Sequence, residues 1–389
     1  MSLQRTLTDP AERWLAERVK VIESSGIRRV FDLGATLKDP INFSIGQPDF
    51  PVAESVRAAA KQAIDDGWNR YTPTQGIEPL RRAVRQKLAS RNGVQVPVDD
   101  VLITSGSSGG IFLALACVLD PGDEIIIPDP YFVMYTQLAA FFGARASLVD
   151  TYPDFQLDPE KVARAVTSRT KAILLNSPNN PTGAVYSEES LRIVADLAAK
   201  HGLLVISDEV YESFVYDGAR HFSIGSIYPD TLTLNAFSKS HSLTGWRIGY
   251  AAGPHHLLEK MKELQQYSFV CAPSFAQVAV VGAMDIGLGD QLARYQHRRD
   301  LAYGGLRERF EVAKPQGAFY IMPKVAETDA TAFADEAIRR NVLTIPGGIF
   351  SSRQTHIRIS YATSEEKIAA GVRILSDIRL QDGLARPSP

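Results

Sequence analysis

Only two of the 389 residues are cysteine, Cys117 and Cys271, and neither belongs to a C-x-x-C spacing. A disulfide framework and a zinc site are therefore not expected, and a reducing cytoplasm is. No run approaches the roughly 20 apolar residues of a membrane span. The opening MSLQRTLTDPAERWLAERVK is charged throughout and lacks the apolar core of a secretory signal. Neither sign of charge dominates: the net charge is −2 and the pI about 6.4. The densest basic stretches, RRAVRQK and QHRRD, carry no more than a solvated helix face does, so nucleic acid is a poor partner. Internal repeats, low-complexity linkers and the G-x-G-x-x-G fingerprint of a dinucleotide site are also missing.

What is present can build a large core. The chain is 45% hydrophobic and 22% charged, and its length amounts to roughly two to three domains' worth of residues. From about residue 101 to 253, short runs rich in β-branched residues (VLIT, EIIIP, RASLVD, AILLN, LLVISD, TLTLNAF, RIGYAAG) alternate with helical patterns. In SEESLRIVADLAAKHG, Leu191, Val194, Ala195 and Ala198 recur at helical spacing. Ser187 and Ser190 offer caps there, and Gly202 a stop. Such alternation predicts an α/β fold with a mostly parallel sheet covered on both faces.

After about residue 285 the runs shorten to GAFYIMP, VLTIPG and HIRIS, set between helical stretches, which predicts a smaller α/β unit. The first 45 residues, expected to be largely helical, would pack against it. The division expected is 46–285 for a large domain and 1–45 with 286–389 for a small one. The terminal ARPSP is expected to fray.

In open α/β sheets ligands bind beyond the carboxyl ends of the strands. After VLIT comes SGSSGG and a helical stretch, a cup for a phosphate built from small residues and free N–H groups; a plain flexible turn is the competing reading. After AILLN comes the rigid SPNNPTG. After LLVISD stand Asp208, Glu209 and Tyr211; a helix cap is the commoner use of such an aspartate, but a carboxylate there is costly to bury without a partner. After TLTLNAF stand Ser238 and Lys239. A phosphate cup, an amide, a carboxylate with a tyrosine, and a lysine together match the needs of pyridoxal phosphate. Its aldehyde takes a lysine amine, its ring nitrogen a carboxylate, and its phosphate hydroxyls and an arginine.

SPNNPTG, SDEVY and SKSHSLTGWRIGY, in this order and spacing, resemble the fold-type I aminotransferases of class I/II, specifically the branch of bacterial aspartate and aromatic aminotransferases. The likeness runs from INFSIGQPDF to HIRISYATSEEKI. It implies the pyridoxal-phosphate transferase fold, with a large domain on a seven-stranded sheet, and a catalytic set of Lys239, Asp208 and Tyr211. Lys239 resembles the Schiff-base lysine that also moves the substrate's α-proton. Asp208 is similar to the partner of the pyridine nitrogen, and Tyr211 and Asn180 to the donors for the ring oxygen. Ser107, Ser108, Ser238 and Arg247 resemble the phosphate ligands, and Phe132 the aromatic that stacks on the ring, although Phe132 also suits a helix core. Arg358 resembles the clamp on the α-carboxylate, a rim salt bridge being the plain alternative, with Gly46 and Asn180 beside it. Tyr71 resembles the tyrosine that reaches the neighbouring subunit's phosphate site, which implies a homodimer.

Three departures stand out. Ala236 replaces a serine common in the family, removing one phosphate hydrogen bond worth about 1 kcal/mol. Ser108 stands where some aspartate-specific relatives carry a lysine. PGGIFSS lacks the usual glycine after its phenylalanine, so that loop is expected to differ.

The function implied is transfer of an amino group from an L-amino acid to a 2-oxo acid such as 2-oxoglutarate, by ping-pong half-reactions. A neutral or aromatic donor is favoured by Ser108 and by Tyr267 and Phe269 nearby, aspartate is the alternative, and Arg28 or Arg29 could reverse that preference. A C–S β-lyase on the same fold is the other reading. A DNA-binding regulator would need a basic domain ahead of SIGQPDF, and a nicotinamide dehydrogenase a glycine fingerprint.

Overall fold

The computed structural model describes residues 14–23 and 26–379; the side chains of Arg28, Arg29 and Phe31, and the ARPSP tail, lie outside the described residues. After β1 (Ile41–Asn42) come β2 (Val101–Thr104), β3 (Glu124–Asp129), β4 (Arg145–Asp150), β5 (Thr170–Asn176), β6 (Leu204–Asp208), β7 (Thr231–Ala236) and β8 (Gly249–Ala252). These last seven form one sheet in the order β2-β8-β7-β6-β5-β3-β4. They coincide with the seven runs read from the sequence. Pairing is parallel from β7 across to β4, and β8 alone runs antiparallel to both its neighbours.

The apolar runs are continuous because both faces are covered. Ile125 and Ile127 of β3 enter one core with Leu174, Ile206 and the helix Gly106–Val118. Ile126, Ile173 and Val205 enter the opposite core with Leu191, Val194, Ala195 and Ala198 of the helix Glu188–His201. Each such aliphatic side chain contributes about 1.5–3 kcal/mol through burial. That second helix starts where the Ser187 hydroxyl accepts the Ser190 N–H, and ends at Gly202 with φ 63°.

The remaining strands are β9 (Tyr320–Ile321), β10 (Val342–Leu343), β11 (Ile345–Pro346) and β12 (Ile357–Ser360). An antiparallel sheet of order β11-β12-β9 packs beside the helices Asp290–Leu306, Thr331–Arg339 and Glu365–Ser376, and β10 pairs in parallel with β1. Their core of Tyr295, Phe319, Phe333, Val342 and Ile359 runs on without a break into Tyr211, Phe214 and Tyr216 from the loop after β6. The helix Gly26–Gly34 lays Val30 against Leu343, Ile345 and Phe350.

Candidate active site

The carboxyl ends of β2, β3, β5, β6 and β7 share one edge of the large sheet, and the reversed β8 brings its amino end to the same edge. That reversal carries Arg247, two residues ahead of Gly249, to the rim. A cavity of about 500 Å³ opens there, and Gly46, Ser107, Ser108, Phe132, Asn180, Asp208, Tyr211, Ser238, Lys239, Arg247 and Arg358 all line it. Eleven of the twelve residues singled out from the sequence are thus brought together from seven segments. The twelfth, Tyr71, is 84% exposed and lines no part of this cavity.

One end of the cavity is a cup for an anion. Ser107 and Ser108 open the helix Gly106–Val118, whose first N–H groups have no partner within the helix. Arg247, at φ 52°, donates to the Thr244 carbonyl at 3.0 Å and lies over Ser105. Glycine is required at two points. A Cβ on Gly106 would come within 2.6 Å of Arg247 Nη2, and one on Gly249 within 2.7 Å of the Gly106 carbonyl carbon.

Asp208 closes β6 and is buried. Burial pushes its carboxyl up to about 6, although the Tyr135 hydroxyl (2.7 Å) and the Val210 N–H (3.3 Å) both donate to it. The Lys239 amine donates to the Gly46 carbonyl at 2.5 Å. Burial, with Arg358 and Arg247 adding their positive charge, brings that amine down to about 8. A Cβ at Gly46 would fall 2.2 Å from the Tyr320 hydroxyl, so this backbone approach needs glycine.

Arg358 sits at the far end, only 2% exposed. It donates to the Asn180 side-chain oxygen at 3.1 Å and to the Ser44 carbonyl at 2.6 Å, while its Nε is buried with no partner. The ring centres of Phe350 and Tyr320 lie 4.5 and 4.8 Å from the guanidinium carbon. Because Asn180 spends its oxygen on Arg358, what it can offer the cavity is its N–H donors. The Tyr211 hydroxyl shares a hydrogen with that of Tyr320 at 2.8 Å.

Several lining residues were not foreseen. Asn176, the last residue of β5, accepts from the Asn180 N–H at 2.9 Å and donates to the Asp208 carbonyl at 3.0 Å, binding two rims together. Tyr135, three residues past Phe132, had a helical-spacing signal that could have found it. Tyr320 had none, because it comes from the other sheet. Conversely, Tyr267 is 85% exposed and Phe269 packs edge-on against Phe112 at 6.2 Å, and neither lines the cavity of its own chain.

The family model for class I and II aminotransferases matches residues 38–375. A probable aspartate aminotransferase of Methanocaldococcus jannaschii is 38% identical over 375 residues, spanning 94% of this chain and 99% of the relative. Aromatic-amino-acid aminotransferase 2 of Thermococcus litoralis is 37% identical, spanning 91% of this chain and 95% of its own length. Among solved structures, the aspartate aminotransferase of Thermus thermophilus with maleate superposes with a TM-score of 0.88 at 36% identity, over 94% of this chain and 99% of that one. Among the described residues, no helix is long and apolar enough to cross a membrane. Fold, motifs and relatives agree: the chain belongs to the class I and II aminotransferases, pyridoxal-phosphate enzymes that pass an amino group from an amino acid to a 2-oxo acid.

Proposed function

We propose that this aminotransferase takes its amino group from an L-amino acid with a neutral or aromatic side chain. It hands the group to a 2-oxo acid such as 2-oxoglutarate in a second, alternating half-reaction. The supporting observation is the cation inventory of the cavity. Among the described lining residues Lys239, Arg247 and Arg358 are the cations, and Ile27, Ile111, Phe132 and Val133 supply apolar wall. With Arg247 assigned to phosphate and Arg358 to the α-carboxylate, no arginine among the described lining residues is left for a second carboxylate. The relatives' names include both aspartate and aromatic donors, so aspartate is the competing choice. Mixing the cofactor-loaded enzyme with single amino acids, without oxo acid, tests this: the rate of change in cofactor absorbance should be highest for leucine or phenylalanine. Aspartate outrunning both would overturn the donor assignment.

The residue roles form part of the same proposal. Pyridoxal 5′-phosphate, when bound, supplies an electron sink for the charge left on Cα as its proton departs. Lys239 holds the cofactor's carbonyl end and, once displaced, carries a proton from and to the substrate Cα. An amine brought down to about 8 is partly neutral at physiological pH, as a base requires. Asp208 holds the proton on the pyridine nitrogen; a buried carboxyl with neutral donors on both oxygens lacks the cation that ring would bring. Tyr211 and Asn180 donate to the ring oxygen, and Phe132 covers the ring. Ser107, Ser108, Ser238 and Arg247 bind phosphate, a reading supported by the close approach of Arg247 to the start of the helix, which glycine at 106 permits. Arg358, with Gly46 and Asn180, orients the α-carboxylate; besides its unpartnered Nε, each terminal nitrogen keeps a second N–H to donate.

We further infer a cytoplasmic homodimer in which Tyr71 completes the partner's phosphate cup. Its ring is exposed alongside other solvent-facing apolar groups, Trp68, Tyr267, Phe269 and Val270, which a second copy would cover. The division into 46–285 and a unit of 1–45 with 286–389 belongs to this proposal. It is supported by the parallel pairing of β1 with β10.

A further inference from the structure

The loop between β11 and β12, read from the sequence as a departure from the family, is tied to the rim of the large sheet by a run of polar bonds. The Phe350 carbonyl accepts the Tyr131 N–H at 2.8 Å. The Ser351 hydroxyl oxygen accepts from the Tyr152 hydroxyl at 2.9 Å and from the Arg353 N–H at 3.0 Å. The Ser352 N–H donates to Asp129 Oδ2 at 2.9 Å, and its hydroxyl donates to the same oxygen. Arg353 closes the run by pairing with Asp150 and covering the Tyr152 ring at 4.5 Å. Asp129 and Ser351 are buried, as is Phe350, whose ring flanks the Arg358 guanidinium.

We propose that Ser351 and Ser352, held by Tyr152 and Asp129, are positioning residues for Arg358: they clamp Phe350 against the guanidinium and so fix the plane that meets the substrate's α-carboxylate. None of the four lines the cavity. They act through Phe350, and on the other side through the segment Asp129–Phe132, whose last residue is in the cavity wall. Glycine in place of Ser351 would remove the hydroxyl that accepts from Tyr152 and loosen the stretch that carries Phe350. Asp129 anchors the loop from the end of β3, so the latch joins the two sheets from which the site is assembled. The guanidinium is a planar group that binds a carboxylate best in one orientation, which is why an anchor on its neighbouring ring changes affinity.

This inference rests on assigning Arg358 to the α-carboxylate, and the experiment separates the two. Steady-state constants are measured for phenylalanine, leucine and aspartate, with the inhibition constants of the non-reacting acids maleate and 3-phenylpropanoate, in holoenzyme carrying Ser352→Ala, Tyr152→Phe or both. The expected result is a three- to tenfold rise in every KM and inhibition constant. kcat should change less than twofold, and the cofactor absorbance and its pH titration should not move. Ser352→Thr should restore KM, and adding Phe350→Leu to the double variant should cost little more, because the latch acts through that ring. Unchanged KM values in Ser352→Ala/Tyr152→Phe, with Arg358→Lys raising them sharply, would overturn the latch and leave Arg358 in its role. Unchanged KM values in Arg358→Lys would instead sink the carboxylate assignment and the latch with it. A fall in melting temperature with all kinetic constants preserved would make the bonds structural only and also overturn the proposal.

Discussion

Asp208 and Glu209 are consecutive buried carboxylic acids, and the regions they enter treat charge in opposite ways. Asp208 faces the cavity, where every shift runs towards loss of charge. Its own carboxyl is lifted to about 6, the Lys239 amine falls to about 8, and burial pulls the Arg358 guanidinium below its ordinary value. Glu209 turns the other way. Ser207 and Ser223 donate to it at 2.9 and 2.6 Å, His221 lies 3.0 Å away, and Asn92 bridges it to Glu212, which pairs with Lys87. There burial opposes each charge and loses. Lys87 holds Glu212 below the usual carboxylate range, Glu212 raises Lys87, and Glu209 raises His221. Two carboxylic acids thus face a lysine and a histidine that can each carry the opposite charge. A buried charge with a partner is part of the scaffold, whereas one without is kept for a ligand to complete.

The largest effect that could break this contrast is kinetic. Lys239→Ala should cut turnover by about 10⁴-fold while the Glu209–Lys87 network stays intact. Turnover near that of the unaltered enzyme, measured with its preferred donor, would remove the cavity's claim to the chemistry. On the scaffold side, Lys87→Met leaves Glu212 buried without its cation. Denaturant unfolding should register a loss of about 3–5 kcal/mol, with kcat/KM little changed at temperatures where the variant is folded. A stable Lys87→Met protein would mean that the two regions do not differ in kind.

The pH dependence of stability sharpens the comparison in the cofactor-free protein. Lys239 has a folded pKa below its unfolded value, so the unfolded chain holds more protons between about 8 and 10.5. Its burial penalty is full below about 8 and gone above 10.5, and Lys239→Met should gain about 3 kcal/mol at neutral pH. Asp208 is the mirror case: its folded pKa is raised from 3.8 to about 6, so its penalty is absent below 3.8 and full above about 6. Both penalties coincide between about 6 and 8, and Asp208→Asn/Lys239→Met should show its largest gain in unfolding free energy there. The network behaves otherwise. Glu212 stabilises above its unfolded value of 4.5 and His221 below 6.5, so a flat difference curve for Glu212→Gln through acid pH would contradict the pairing.

The smallest effect expected is at Tyr135. Tyr135→Phe removes a hydroxyl that donates to Asp208, so the carboxyl should move further up and kcat fall by about tenfold, the worth of one hydrogen bond to a charged group. The acidic limb of the pH–rate profile should shift upwards with it. An unshifted limb would mean that the Tyr135 bond is idle in the loaded enzyme.

Most strands of the large sheet were legible as apolar or β-branched runs bounded by turn residues, a local signal that needs no partner to be seen; the edge strand β4, with only Val149 buried, carries the weakest such signal. The chemistry at their ends was legible for the same reason. In a doubly covered sheet the residue after each strand reaches the rim, so SGSSGG, SPNNPTG, SDEVY and the serines around Lys239 could be read one after another. The small unit's short strands were legible as elements but not as neighbours. Nothing local says that Tyr320 will stand beside Tyr211, or that Ser352 will find Asp129.

By itself, then, the sequence determined which elements form and which cofactor chemistry they can carry, because periodicity and rim position are properties of short stretches. The tertiary structure alone decided which side chains share partners. Tyr135 meets Asp208 across 73 residues, Arg358 meets Asn180 across 178, and Lys239 meets Gly46 across 193. Those distances are set by the order in which strands add to the sheet and by how the second sheet seats on its rim. A local pattern does not encode such packing, because many arrangements of the same elements would satisfy it.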